Sequence, residues 1–310
     1  MHFQFISKCL LLLLLGQAAY LPVFGQQLAD TAYRFKVSTP KYSNGKGPVI
    51  LFDEAHGNPV SLRGLYYGFN KLLSEDGYIL ASAKDQVSDS LLRKAKIYVS
   101  VNAMADLSNW DLPVRSAYSD QEIKTLNRWV SDGGSFLLIT DHMPCGGSVA
   151  KLAASFGFNI FNGFALRKDR SPEIFAVKKG NLSDCIITKN RDYTIDSIRI
   201  WGGTAFIPPA GAKIISTLNA EYTVYLPQKA DDVNSPIADT VPRISGLGLA
   251  CGAFLKYGKG CILIFADAAG FTAQLEGIKS QKRGMNHPDA RQNAPFLLNV
   301  IHWLDGLLEK

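Results

Sequence analysis

An α/β fold on a mostly parallel sheet, with an antiparallel portion in the C-terminal half, follows from three features of this 310-residue chain. Short apolar runs alternate with amphipathic stretches from about residue 48 to residue 156. The runs are continuously apolar, as strands covered on both faces are, and do not alternate with polar residues. From about residue 161 the pattern changes to closely spaced strand-like pieces, which suits antiparallel pairing within the same domain.

Taken in order, Pro48-Val49-Ile50-Leu51-Phe52 predicts the first strand. Leu62, Leu65, Tyr66, Phe69, Leu72 and Leu73 then recur at helical spacing over 61–73, and Glu75-Asp76-Gly77 stops that helix. Residues 78–83 predict a second strand, 88–95 a short helix and 96–101 a third strand that ends at Asn102. Ser119 and Glu122 have the spacing of a capping box before Ile123, Leu126 and Val130, and Asp132-Gly133-Gly134 ends the helix. Residues 135–140 predict a fourth strand, and Ser148 is placed to cap the next helix over Val149, Leu152, Ala153 and Phe156. Alternation of this kind requires right-handed crossovers.

Beyond it, strands are predicted over 174–177, 185–187, 198–201, 213–217 and 222–226. Residues 246–255 and 261–266, joined at Gly258-Lys259, predict a hairpin that sets Cys251 opposite Ala266. Residues 294–308 form a broad-faced final helix.

Residues 1–25 have the form of a secretory signal peptide: Lys8 precedes a leucine run, and Gln17 and Pro22 cut it shorter than the roughly 20 residues a membrane span needs. The expected organisation is therefore a leader over 1–25, an N-terminal segment over 26–46 and one α/β domain over 47–310. It implies a periplasmic or secreted protein with no stable membrane anchor after cleavage. The leader carries one lysine and no acid, so the formal charge falls only from +6 to +5. Without a run of like charges, nucleic acid is not an expected partner; a small molecule or glycan is. Oligomeric state is not legible. Cys145, Cys185, Cys251 and Cys261 show no zinc spacing; buried thiols and disulfides both remain open. No GxSxG, P-loop or GxGxxG sequence is present.

Three histidines lie in polar clusters: Asp53-Glu54-Ala55-His56-Gly57-Asn58, Thr140-Asp141-His142-Met143-Pro144 and Gly284-Met285-Asn286-His287. The first two follow predicted strands, and in a doubly wound sheet ligands bind outside the carboxyl ends of strands. His56, Asp53, Glu54, Asp141 and His142 are accordingly the candidate catalytic residues. Asn58, Asn102, Asp267 and Asn286 are the candidate substrate-binding residues. His56 has three readings: an acid/base oriented by a neighbouring carboxylate, a metal ligand together with His142 and acids, or a structural group in a turn. No cofactor is required, although a divalent metal is compatible with the residue types. Gly146-Gly147 would let backbone approach a ligand. Tyr66, Tyr67, Trp110 and Tyr118 could form an aromatic platform or simply pack.

Across residues 48–308 the chain resembles the class I glutamine amidotransferase-like superfamily, in particular an exported bacterial group of unknown function. The resemblance rests on Phe52 to Gly57, Thr140 to Pro144, Asn162-Gly163-Phe164-Ala165, Gly202 to Phe206, Gly284-Met285-Asn286, Gln292-Asn293 and Phe296 to Val300. It implies a flavodoxin-like three-layer sandwich. Where the superfamily's glutaminases carry a nucleophilic cysteine, this chain has Thr140-Asp141-His142. The function expected is a hydrolase-like enzyme on a small polar, carbohydrate-derived substrate using His/carboxylate chemistry. The alternative is a non-catalytic glycan- or partner-binding module on the same fold.

Overall fold

The computed structural model describes residues 27–233 and 239–308; the leader expected over 1–25 lies outside them. Nine strands make the central sheet: β1 (Val49–Asp53), β2 (Ile79–Ala83), β3 (Ile97–Val101), β4 (Ser135–Ile139), β5 (Asn159–Ile160), β6 (Phe206–Ile207), β7 (Lys213–Thr217), β8 (Ala250–Tyr257) and β9 (Gly260–Phe265). Their order is β2-β1-β3-β4-β9-β8-β6-β5, with β7 also paired to β8. β2, β1, β3, β4 and β9 are parallel; every other pairing in the sheet is antiparallel. All residues of β3, β4 and β9 are buried, whereas the edge strand β2 is half exposed, which explains why the central runs read as unbroken apolar stretches.

Among the described residues the α-helices are α1 (Tyr67–Glu75), α2 (Asp89–Leu92), α3 (Asp120–Ser131), α4 (Cys145–Ser155) and α5 (Asn293–Leu304). The chain moves from β1 through α1 to β2 in one direction and from β3 through α3 to β4 in the other. Right-handed crossovers therefore put α1 and α3 on opposite faces of the sheet. α5 shares the α1 face: its His302 Nε2 donates to Asp76, at the end of α1, over 2.6 Å. α4 joins α3, where Asn127 Nδ2 donates to Ser155 Oγ over 2.7 Å. The result is a three-layer sandwich. The face that α1 and α5 share closes beside α5 through Phe265, Phe271 and Phe296, in mutual ring contact, and beside α1 through Phe52, Tyr66 and Phe69.

Three small antiparallel sheets decorate this body: Gln27–Ala29 with Ala273–Glu276 and Gln281–Gly284, Phe164–Arg167 with Tyr222–Tyr225 and Arg243–Ser245, and Glu173–Ala176 with Ser197–Ile200. The N-terminal segment is thus tied into the domain, and Asp30 N continues the ladder to Ala273 O.

Several local expectations hold. The capping box is complete, with Ser119 Oγ accepting from Glu122 N and Glu122 Oε2 accepting from Ser119 N. In the β8–β9 hairpin Cys251 O accepts from Ala266 N, and the four described cysteines are all free thiols.

Others do not. Ser148 caps nothing: α4 begins three residues earlier, at Cys145, with Pro144 before it. Gly146 and Gly147 face chain, not ligand, because a Cβ on either would lie 2.7 Å from Phe161 O or Asn162. Residues 185–187 form a turn and no strand, since Thr188 Oγ1 accepts from Cys185 N and donates to Ser183 O, competing with a ladder.

Gly203 is the tightest of the close approaches beside the sheet. Its φ is +120° and a Cβ would sit 1.9 Å from Ala266 O, at the end of β9. We expect Gly203→Ala to lower the unfolding free energy by at least about 2 kcal/mol in urea denaturation, from backbone strain plus the clash. An unchanged midpoint would show that the loop does not depend on this contact.

Candidate functional site

The strand order reverses between β1 and β3, and the carboxyl ends of β3, β4 and β9 open into a cavity of about 390 Å³. Asn102, Asp141, His142 and Asp267 all stand in its wall, with Tyr66, Trp110, Phe164 and Trp201 as aromatic neighbours. Four of the nine residues singled out in the sequence therefore meet in one place. Asp53, Glu54, His56, Asn58 and Asn286 are not part of that wall.

Asp267 leaves β9 almost fully buried and is held entirely by backbone. Oδ2 accepts from Trp201 N at 2.5 Å and Gly202 N at 2.8 Å, while Oδ1 accepts from Ala269 N at 2.8 Å and Gly270 N at 3.3 Å. Burial and the nearby Asp141 charge push its carboxyl up to about 6 against the pull of the Trp201 and Gly202 N–H groups and Arg283. With both oxygens occupied, Asp267 organises two loops around the cavity and offers little to a ligand directly.

Asp141 is more available. Oδ1 accepts from His142 N at 2.8 Å, and the other oxygen makes no hydrogen bond among the described residues. His142 stacks on Phe164, ring centroids 4.6 Å apart, with Trp110 at 6.0 Å. Its Nδ1 lies 2.7 Å from Met143 O, which can only accept, so Nδ1 carries a proton, and Nε2 makes no hydrogen bond among the described residues and lies 4.0 Å from Asp141 Oδ1. Two further acceptors in the wall, Asn102 Oδ1 and Gln274 Oε1, are buried without a partner. The positive φ of Asn102, +48°, turns the chain as it leaves β3. Leaving a buried acceptor unmet costs about 1–3 kcal/mol.

The first strand exit has a different role. His56 is buried with Nδ1 2.8 Å from Asp53 Oδ1 and Nε2 2.8 Å from Glu122 Oε1, and Tyr118 stacks on it at 4.0 Å. Asp53 also accepts from Tyr118 OH at 2.5 Å. With both ring nitrogens engaged by carboxylates, His56 has none to offer a substrate, so the structural reading of this residue prevails over the acid/base one. The metal reading fares no better, since among the described residues no three His, Cys, Asp or Glu side chains are grouped to hold a metal ion. Glu54 Oε1 accepts from Leu62 N and Ser82 Oγ, and Asn58 Nδ2 donates to Val101 O. Asn286 Nδ2 joins Asp30 Oδ2 to Gln274 O, tying the N-terminal strand to its neighbour. These are loop-fixing contacts. Of the four aromatic residues, Tyr66 and Trp110 line the cavity and Tyr118 packs on His56.

Sequence reasoning missed Trp201, Gln274 and Arg283 in the cavity and Glu122 as the partner of His56. The capping-box spacing flagged Glu122 as a helix residue, but nothing local indicates that its other oxygen reaches residue 56.

No protein-family model and no curated protein matches the chain. Among solved structures, the mmIFT52 N-terminal domain is similar with a TM-score of 0.58 at 14% identity, covering 83% of this chain and 97% of that one. A Thermoplasma acidophilum protein assigned to GMP synthase matches with a TM-score of 0.39 at 11% identity, over 82% and 96% of the two chains. What the chain shares with the mmIFT52 N-terminal domain is an α/β fold, here with a mixed, mostly parallel central sheet. An exo-β-1,4-mannosidase from Opitutaceae bacterium strain TAV5 also matches, with a TM-score of 0.41 at 13% identity, over 86% of this chain and 36% of that one. At such identities the likeness is one of fold alone, and function has to be argued from the site.

The two histidines should separate cleanly. Burial disfavours the charged form of His56, but the hydrogen bonds and charges of Asp53 and Glu122 outweigh it and raise its pKa above 6.5. A raised folded-state value means that its stabilisation is complete below about pH 6.5 and is lost as pH climbs through the higher folded value. His56→Ala should cost about 3–5 kcal/mol by leaving two buried carboxylates without their cation. It should also flatten the stability profile above pH 6.5, read from urea midpoints across pH. His142→Ala, at a half-exposed ring, should cost under about 1 kcal/mol. Equal losses for the two variants would overturn the assignment.

Proposed function

We propose that the cavity binds a small polyhydroxylated, sugar-derived ligand and acts on it as a hydrolase-like enzyme through His142 and Asp141. The observation that carries this reading is the convergence in one cavity wall of His142 Nε2, of the Asp141 oxygen that makes no hydrogen bond among the described residues, and of the polar residues Asn102 and Gln274, a lining suited to a ligand rich in hydroxyl donors. Trp110, Phe164 and Trp201 supply ring faces of the kind that cover the apolar side of a sugar. In this scheme Nε2 takes a proton from a water or a substrate hydroxyl. The Asp141 carboxylate stabilises the imidazolium that forms, and Met143 O keeps the ring in the tautomer that leaves Nε2 free. The leader-like residues 1–25 support a periplasmic or secreted site of action.

One observation favours a second reading, a non-catalytic glycan-binding module. Cys145, the thiol in the cavity wall, is no nucleophile, because burial and Asp141 push its pKa well above the ordinary thiol value.

A thermal-shift screen of the mature chain against neutral sugars and uronic acids, followed by product analysis, distinguishes the two. For an enzyme, His142→Ala and Asp141→Asn should each lower kcat/KM by about 10²–10⁴-fold with little change in Tm. If the wild-type chain binds sugars without releasing product, and His142→Ala only weakens binding, the module reading replaces the enzyme.

A further inference from the structure

Beside the cavity runs a second depression, a groove of about 620 Å³, which shares Trp201 and Arg283 with it. Its walls carry Arg170, Arg199, Lys282 and Arg283 against a single carboxylate, Glu276. Arg283 Nη1 spends itself on Glu276 at 2.8 Å, and Arg199 Nη1 on Asp289 at 2.5 Å. Two cations are left over: Arg170 and Lys282 are exposed and make no ion pair among the described residues. The Nε–H groups of Arg199 and Arg283 likewise meet no acceptor. His287, in the same wall, has its pKa held below the ordinary histidine value by burial and by Arg199, against the pull of Asp289. The aromatic wall continues across the boundary, with Arg199 lying over the Trp201 ring at 5.3 Å and His287 edge-on to it at 5.8 Å.

We propose that this groove is the anion-reading subsite of the cavity, so that the ligand is an acidic oligosaccharide whose uronate carboxylates lie against Arg170 and Lys282 while a neighbouring sugar occupies the cavity. The inference rests on the sugar-binding reading above and specifies its substrate class. Each depression is of a size that takes a drug-sized ligand, so the two together accommodate an oligomer rather than one ring. Guanidinium groups flanking an indole are suited to it: Arg pairs with carboxylates and Trp covers the sugar face.

The test is isothermal titration of the mature chain with trimers of galacturonate, glucuronate and mannuronate, with a neutral galactose trimer, and with inorganic phosphate as competitor. At least one acidic trimer should bind more tightly than the neutral one, and salt should weaken it selectively. The double variant R170E/K282E should lose about tenfold or more in affinity for the acidic trimer while the neutral trimer shifts less than about twofold. Acidic and neutral trimers bound equally well, or a double variant without selective effect, would overturn the proposal. Phosphate binding with no uronate binding would overturn it too, leaving a generic anion site. A selective acidic trimer bound but never turned over would leave the proposal standing and remove only the enzyme reading.

Discussion

A carboxylate at the end of a buried strand must be answered by donors, and the way each one is answered divides this molecule into scaffold and site. Taking such a group out of water without partners costs several kcal/mol, so none can simply be left at the edge of an apolar layer. Three strands of the parallel core end this way: β1 in Asp53, β4 just before Asp141 and β9 just before Asp267. Asp53 is answered by the Ala55 amide and by two side chains, His56 and Tyr118, which pull the loop after β1 onto the start of α3. Asp267 is answered by four backbone N–H groups, which fold the Trp201-Gly202 and Ala269-Gly270 segments around one opening. Asp141 is answered only in part, by its neighbour's amide, and faces the cavity.

The same division explains why the most conspicuous histidine has no ring nitrogen to offer a ligand. His56, beside two acids in sequence, is neutralised twice over, by Asp53 and by Glu122, and the second bond also anchors a helix N-terminus whose capping box Glu122 completes. A residue so constrained is rigid and closed to solvent. His142 has only one nitrogen fixed and a ring stacked on Phe164, which leaves it oriented and still half open. Orientation with one free nitrogen is the condition for moving a proton.

The antiparallel additions have a job in this arrangement. The strand Phe164–Arg167 brings Phe164 under His142, and the Ser197–Ile200 strand leads into Trp201 and the glycines that border β9. The hairpin of Ala273–Glu276 and Gln281–Gly284, held by the N-terminal strand, carries Gln274 and Arg283 to the far wall. The parallel sheet sets the floor of the opening, and the insertions set its chemistry. Cys145, in the cavity wall, is buried.

What the sequence by itself determined is what a few consecutive residues can encode. The apolar runs of β1, β3, β4 and β9, the helical spacing in α1, α3 and α5, the box at Ser119 and Glu122 and the Gly258-Lys259 turn each depend on neighbours within about one helical turn. A competing local bond misled it at Thr188, and α4 starts three residues ahead of the cap expected at Ser148. The polar strand exits were legible for the same reason, because a charged residue after an apolar run marks where the chain leaves the core. Which exits share a cavity was decided only in three dimensions. His56 meets Glu122 across 66 residues, and Asp267 is held by Trp201 across another 66. Such partners are chosen by crossover handedness and strand order, which put β4 and β9 side by side and left the β1 loop against α3, and no spacing along the chain records that choice.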